Sequence, residues 1–137
     1  MQFFEGRTVG SGTVRILLGK PFRTRSVGQG RFQPDGSMLF VQQVEEQGKP
    51  PRERRWSVRK IGPRRYSGAM SEALGPVAID EIRGRFRFRF RMKGKLSAEQ
   101  WLIPLPGGTT ARNTLTIRKL GVKVGSGEGM LRKIAGR

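Results

Sequence analysis

The chain contains no cysteine and no histidine. Without thiols there is no disulfide framework, no thiolate metal site and no cysteine nucleophile. Without imidazole the commonest metal ligand and the commonest general base are gone. Tyrosine occurs once and tryptophan twice, and 10 acidic side chains face 28 lysines and arginines, a net charge of +18. No apolar run approaches the ~20 residues that span a bilayer as a helix. Most familiar catalytic constellations are excluded by these gaps. The expectation is a protein without enzymatic activity, catalytic residues, cofactor or bound metal.

What is present points to strands and turns. The 137 residues, with 20 glycines and 8 prolines, suit a single domain over 1–137 with many reversals. No window of a dozen residues carries apolar side chains at helical spacing without a glycine or proline interrupting it. Alternation with period two is common instead. Residues 7–16 and 22–32 are polar and glycine-rich, the texture of weakly apolar, bent strands. Gln33-Pro34-Asp35-Gly36 is a turn, because proline presets φ, aspartate caps locally and glycine accepts positive φ. Residues 71–74 read as one helical turn, and further strands are expected over 54–61, 64–70, 77–81, 101–105, 109–119 and 122–134.

Arg85-Phe86-Arg87-Phe88-Arg89-Phe90-Arg91-Met92-Lys93 alternates without a break, within a strand expected to run over 83–96. A strand sends successive side chains to opposite faces. Phe86, Phe88, Phe90 and Met92 therefore share one face, and Arg85, Arg87, Arg89, Arg91 and Lys93 the other. One face is core and one is wet, as in the wall of a closed sheet, which also protects strand edges. About eight to ten short strands at this spacing predict an all-β chain forming one antiparallel up-and-down barrel.

Carboxylates offer little chemistry. Glu45-Glu46 and Asp80-Glu81 each place one acid on either face of a strand, so neither pair acts jointly on one bond. Gly10-Ser11-Gly12 and Gly125-Ser126-Gly127 lack the following Lys-Ser/Thr and helix N-terminus of a phosphate loop, and read as bends.

Two functions follow from the two faces of the barrel wall. The first is a binding barrel for a small apolar or amphipathic, lipid-like molecule, held by interior Phe86, Phe88, Phe90, Met92, Trp56 and Trp101, with an arginine near the mouth for an anionic group. The alternative is a polyanion-binding protein whose outward stripe of Arg85, Arg87, Arg89, Arg91 and Lys93 meets nucleic acid backbone or an anionic membrane surface. Residues 1–70 and 71–137 each hold 14 basic and 5 acidic side chains, so the charge belongs to the whole fold and not to a tail.

Several short segments appear in a recognisable order: Phe3-Phe4-Glu5-Gly6-Arg7-Thr8 with Gly10 and Gly12, then Arg55-Trp56-Ser57-Val58-Arg59-Lys60. Tyr66-Ser67-Gly68, Asn113 and Lys119-Leu120-Gly121-Val122-Lys123-Val124-Gly125 follow. Over nearly the whole chain this order resembles the bacterial domain of unknown function 3833. The resemblance implies a lipocalin-like or calycin-like barrel and no assigned activity. Many members carry lipoprotein signals that place them in the envelope. Here Met1-Gln2-Phe3-Phe4-Glu5-Gly6 has neither a basic start nor a long apolar stretch, and a cytoplasmic protein is expected. Where the family has an acidic residue before tryptophan, this chain has Gln100-Trp101.

Overall fold

Ten antiparallel strands follow one another around a closed ring in the computed structural model, which describes residues 2–134. After a 3-10 turn at Gln2–Phe4 come β1 (Gly6–Ile16), β2 (Phe22–Phe32), β3 (Met38–Glu46), β4 (Arg52–Gly62) and β5 (Arg65–Met70). They are followed by β6 (Leu74–Ile82), β7 (Arg85–Met92), β8 (Leu96–Pro104), β9 (Thr110–Lys119) and β10 (Val122–Ile134). Each strand pairs with its sequence neighbours, and β1 closes the ring on β10. The fold is the expected up-and-down barrel, with no strand of the ring left unpaired along an edge.

Turn chemistry sets the reversals. Arg83-Gly84 and Leu120-Gly121 are two-residue links with both φ values positive, at 53° and 78° and at 50° and 85°. Paired positive φ is the geometry whose twist matches that of a hairpin's strands. In the 33–37 loop, the Asp35 carboxylate accepts hydrogen bonds from the Ser37 backbone N–H at 2.9 Å and hydroxyl at 2.6 Å, and Gly36 takes φ 88°.

Two expectations are corrected here. The strand expected over 83–96 is shorter: Gly94 and Lys95 turn the chain at φ 80° and 61°, and β8 starts at Leu96, five residues before Trp101. The helical turn expected over 71–74 is only a tight link, with Leu74 already in β6.

The inward face of β7 anchors the core. Phe86, Phe88 and Phe90 are buried, and burying each such ring contributes about 1.5–3 kcal/mol. Trp56 meets Phe88 and Phe90 edge-on at 5.6 and 6.0 Å. Register carries this face around the ring, placing Ile79 and Gln100 beside Phe88 and Phe40 beside Trp56. On the far side Gly10, Gly12, Thr24, Ser26, Gly28, Gly127 and Gly129 face inward together with Thr8, Val14 and Leu131. One wall is aromatic and the other is lined mainly by small side chains and glycine.

The N-terminal turn covers one end. The Phe4 ring sits 4.9 Å from that of Phe40, and Gly30 is needed beneath it, since a Cβ there would lie 1.9 Å from the Phe4 carbonyl oxygen. The opposite end carries the links 17–21, 47–51, 71–73, 93–95 and 120–121.

Candidate functional site

Between the two walls lies a cavity of about 190 Å³. Phe40, Trp56, Phe88 and Leu102 line its apolar side, and Gly10, Gly12, Gly127 and Gly129 line the side opposite. The space exists because β1, β2 and β10 put glycine, serine and threonine where bulky side chains would otherwise complete the core.

Three amides reach into this space. Trp56 Nε1 donates to Gln42 Oε1 at 3.0 Å, and Gln100 Nε2 donates to Asn113 Oδ1 at 2.9 Å. Gln42 Nε2, Gln100 Oε1 and Asn113 Nδ2 have no protein partner among the described residues, and no polar side-chain atom is sealed away unsatisfied. Two donors and one acceptor thus remain accessible beside an aromatic wall.

At the end away from Phe4, Glu46 and Arg54 border the cavity, and a cluster of ion pairs holds them. Arg52 reaches Glu46 at 2.6 Å and Glu72 at 2.9 Å, while Arg54 Nε donates to the other oxygen of Glu72. Burial pushes the Glu46 carboxyl up. The hydrogen bond and charge of Arg52, with the charges of Lys49 and Arg54, outweigh it and hold the group below the ordinary carboxylate range. The Glu46 contact in turn raises Arg52. Glu46 is an anchored anion at neutral pH, unlike the inward acid of raised pKa that proton transfer favours. Arg54 uses one nitrogen on the protein, and its two terminal NH₂ groups make no hydrogen bond among the described residues. Near the covered end, burial first and the Glu81 charge second lift the Tyr66 hydroxyl above its usual range.

The six interior residues named from the sequence divide three ways. Trp56 and Phe88 line the cavity; Phe86 and Phe90 are buried beside it, and Met92 packs against the core. Trp101 is a correction. Leu102, 1% exposed, takes the inward position on β8, which sends Trp101 outward to lie under the Arg87 guanidinium, 6.0 Å from its ring centre. Gln42, Arg54, Gln100, Asn113 and the glycines were not singled out as cavity residues by sequence. Parity could have found two of them, since Gln42 shares a face with Phe40, and Arg54 with Trp56.

The basic stripe lies outside as expected, but part of it is neutralised. Arg87 pairs with Glu99 at 2.7 Å and Arg89 with Asp80 at 3.0 Å, whereas Arg85, Arg91 and Lys93 have no ion pair among the described residues.

No family model matches the chain, and no curated protein matches it in sequence. In structure it is similar to an S-type phycobiliprotein lyase from Guillardia theta, with a TM-score of 0.76 and 9% identity over 99% of this chain and 91% of that one. The fold is thus a lipocalin-like barrel. The same finding corrects the expectation of a protein without enzymatic activity. A barrel matching 99% of this chain is named a lyase, so the fold by itself does not exclude catalysis. At 9% identity the likeness concerns the fold, and no residue role passes with it.

Proposed function

We propose that the barrel binds one small amphipathic molecule, with its apolar body against Phe40, Trp56 and Phe88 and an acceptor group, such as a carboxylate, turned toward Arg54. The observation that carries this reading is the asymmetric cavity itself: aromatic on one side, glycine on the other, with unpartnered amide and guanidinium nitrogens converging on it. Binding sites of this kind are mostly apolar, with a few placed polar groups. At about 190 Å³ the space exceeds the 150 Å³ or so that admits benzene and falls below the ~300–1,000 Å³ of larger sites. One or two fused rings, or a short acyl chain, match it.

Naphthoate is a suitable probe, read by tryptophan fluorescence in a Trp101→Phe background where Trp56 is the remaining indole. Gly127→Leu fills the cavity without a backbone clash, because a Cβ there meets only Val14 Cγ2 and the Thr13 carbonyl and Leu115 Cβ at 3.4–3.5 Å. It should weaken binding about tenfold or more, a loss of ~1.4 kcal/mol or greater, while the circular dichroism spectrum is kept. Arg54→Gln should weaken naphthoate more than uncharged naphthalene methanol. Binding that Gly127→Leu leaves unchanged, or no binding of either probe by native mass spectrometry, overturns the reading.

A further inference from the structure

At the end of the barrel away from the N-terminal turn, two neighbouring hairpins expose leucines. Leu17 is 65% exposed, Leu18 fully exposed and Leu120 78% exposed, with Val122 beside them at 62%. The 17–21 and 120–121 links adjoin, since the Leu17 N–H donates to the Val124 carbonyl at 2.8 Å, and the 93–95 link follows through the pairing of Leu96 with Lys119. Leu18 and Leu120 also stand at positive φ, 61° and 50°, where glycine or asparagine is the unstrained choice. Each leucine there disfavours the backbone and faces water, so folding gives no reason for it.

Charge around these tips has one sign. Six of the eight lysines lie at this end of the barrel, and Lys20, Lys93, Lys95, Lys119 and Lys123 have no ion pair among the described residues. Residues 15–22, 91–97 and 117–124 contain no aspartate or glutamate. Glu45, Glu46, Glu53 and Glu72 sit on the other side of the rim around the 47–51 and 71–73 links, and Glu99, further along β8 on this side, is paired with Arg87.

The geometry points to an anionic bilayer as the partner of this rim, with Leu17, Leu18 and Leu120 entering the interface and the lysines lying among the headgroups. Apolar projections flanked by long flexible cations are what interfacial binding uses. Nucleic acid backbone gives the leucines no partner, and separate hairpin tips make a poor match for the broad complementary face that a second copy needs. The site shares Lys93 with the outward basic stripe but rests on the leucine tips, which the stripe lacks, and does not depend on a ligand in the cavity. Docking this way also brings the Glu46 and Arg54 end of the cavity to the membrane side.

Sedimentation with phosphatidylcholine vesicles, with and without phosphatidylglycerol, tests the assignment. The protein should pellet only with the anionic vesicles and be released by salt. Leu18→Gly combined with Leu120→Asn suits the positive φ, so this variant should melt no lower than the wild type while its vesicle affinity falls about tenfold or more. Lys20→Gln, Lys119→Gln and Lys123→Gln together should lower affinity and flatten its salt dependence. The proposal is overturned by failure of the wild type to bind anionic vesicles, or by full binding in the leucine variant. It is equally overturned if duplex DNA displaces vesicles from both proteins alike, or if the wild type is a dimer that the leucine variant converts to monomer.

Discussion

The aromatic wall and the glycine wall of this barrel differ in how they use the same ladder. Around β3 to β8 the inward positions carry Phe40, Trp56, Met70, Ile79, Phe86, Phe88, Phe90 and Leu102, all buried. On β10, β1 and β2 the equivalent positions are mostly glycine, serine and threonine. All seven ion pairs among the described residues also belong to β3 through β8 and the links between them. Barrel diameter grows with strand number, so ten strands lined evenly with large side chains would enclose a filled core, and ten lined with glycine would have no core. Stability is concentrated in one wall so that the other can border empty space.

Truncating the aromatic wall should give the largest effect. Phe86→Ala removes a ring that packs edge-on against Tyr66 at 6.3 Å but does not line the cavity. It should cost about 3–5 kcal/mol by urea unfolding. A cost below that of an ordinary surface change would mean that the core does not reside in this wall.

Glycine substitutions then separate two roles within the other wall. Gly12 and Gly129 face each other across the β1–β10 seam, and a Cβ on Gly129 would lie 2.3 Å from the Ser11 carbonyl oxygen and 2.8 Å from Gly12 Cα. Backbone cannot yield as a side-chain tip can, so Gly129→Ala should destabilise by about 1–3 kcal/mol. Gly127→Ala meets only ordinary contacts at 3.4 Å and beyond, and should fall within about 0.5 kcal/mol of the wild type. Equal melting temperatures for the two variants would remove the distinction between a tight seam and a roomy wall.

The same contrast explains what could be read from sequence. Alternation of arginine and phenylalanine on β7 gave the strand, its faces and the closed sheet, because large and charged side chains mark parity unambiguously. Glycine does not. The residues of 7–16 were readable as a bent strand, but which of them face inward is written only in the side chains they lack. The start of β8 was obscured because Leu96, Ala98 and Gln100 alternate weakly, and Trp101, the most conspicuous residue there, faces outward. Nothing in the sequence marks Gln42, Gln100 and Asn113 as inward, since a polar side chain turned into a cavity and one turned into water look alike until register is known.

A modest effect of acid is expected as well, and it falls on the aromatic wall alone. Glu46 has its carboxyl held below the ordinary value near 4.3 by Arg52, Lys49 and Arg54 against the opposing effect of burial. A folded-state pKa below the unfolded one means that the unfolded chain takes up the proton first as pH falls. The stabilisation from Glu46 is therefore complete at neutral pH, declines once pH drops below about 4.3, and is gone below the folded-state value. Glu46→Gln should cost about 0.5–1 kcal/mol at neutral pH, because the partly exposed Arg52 keeps Glu72. The variant and the wild type should converge in stability as acid removes the charge from both. Urea unfolding across that range checks the sign, and a gap that persists or widens in acid would show that Glu46 acts through packing instead of charge. High salt should narrow the gap at neutral pH as well, which a packing role would not do.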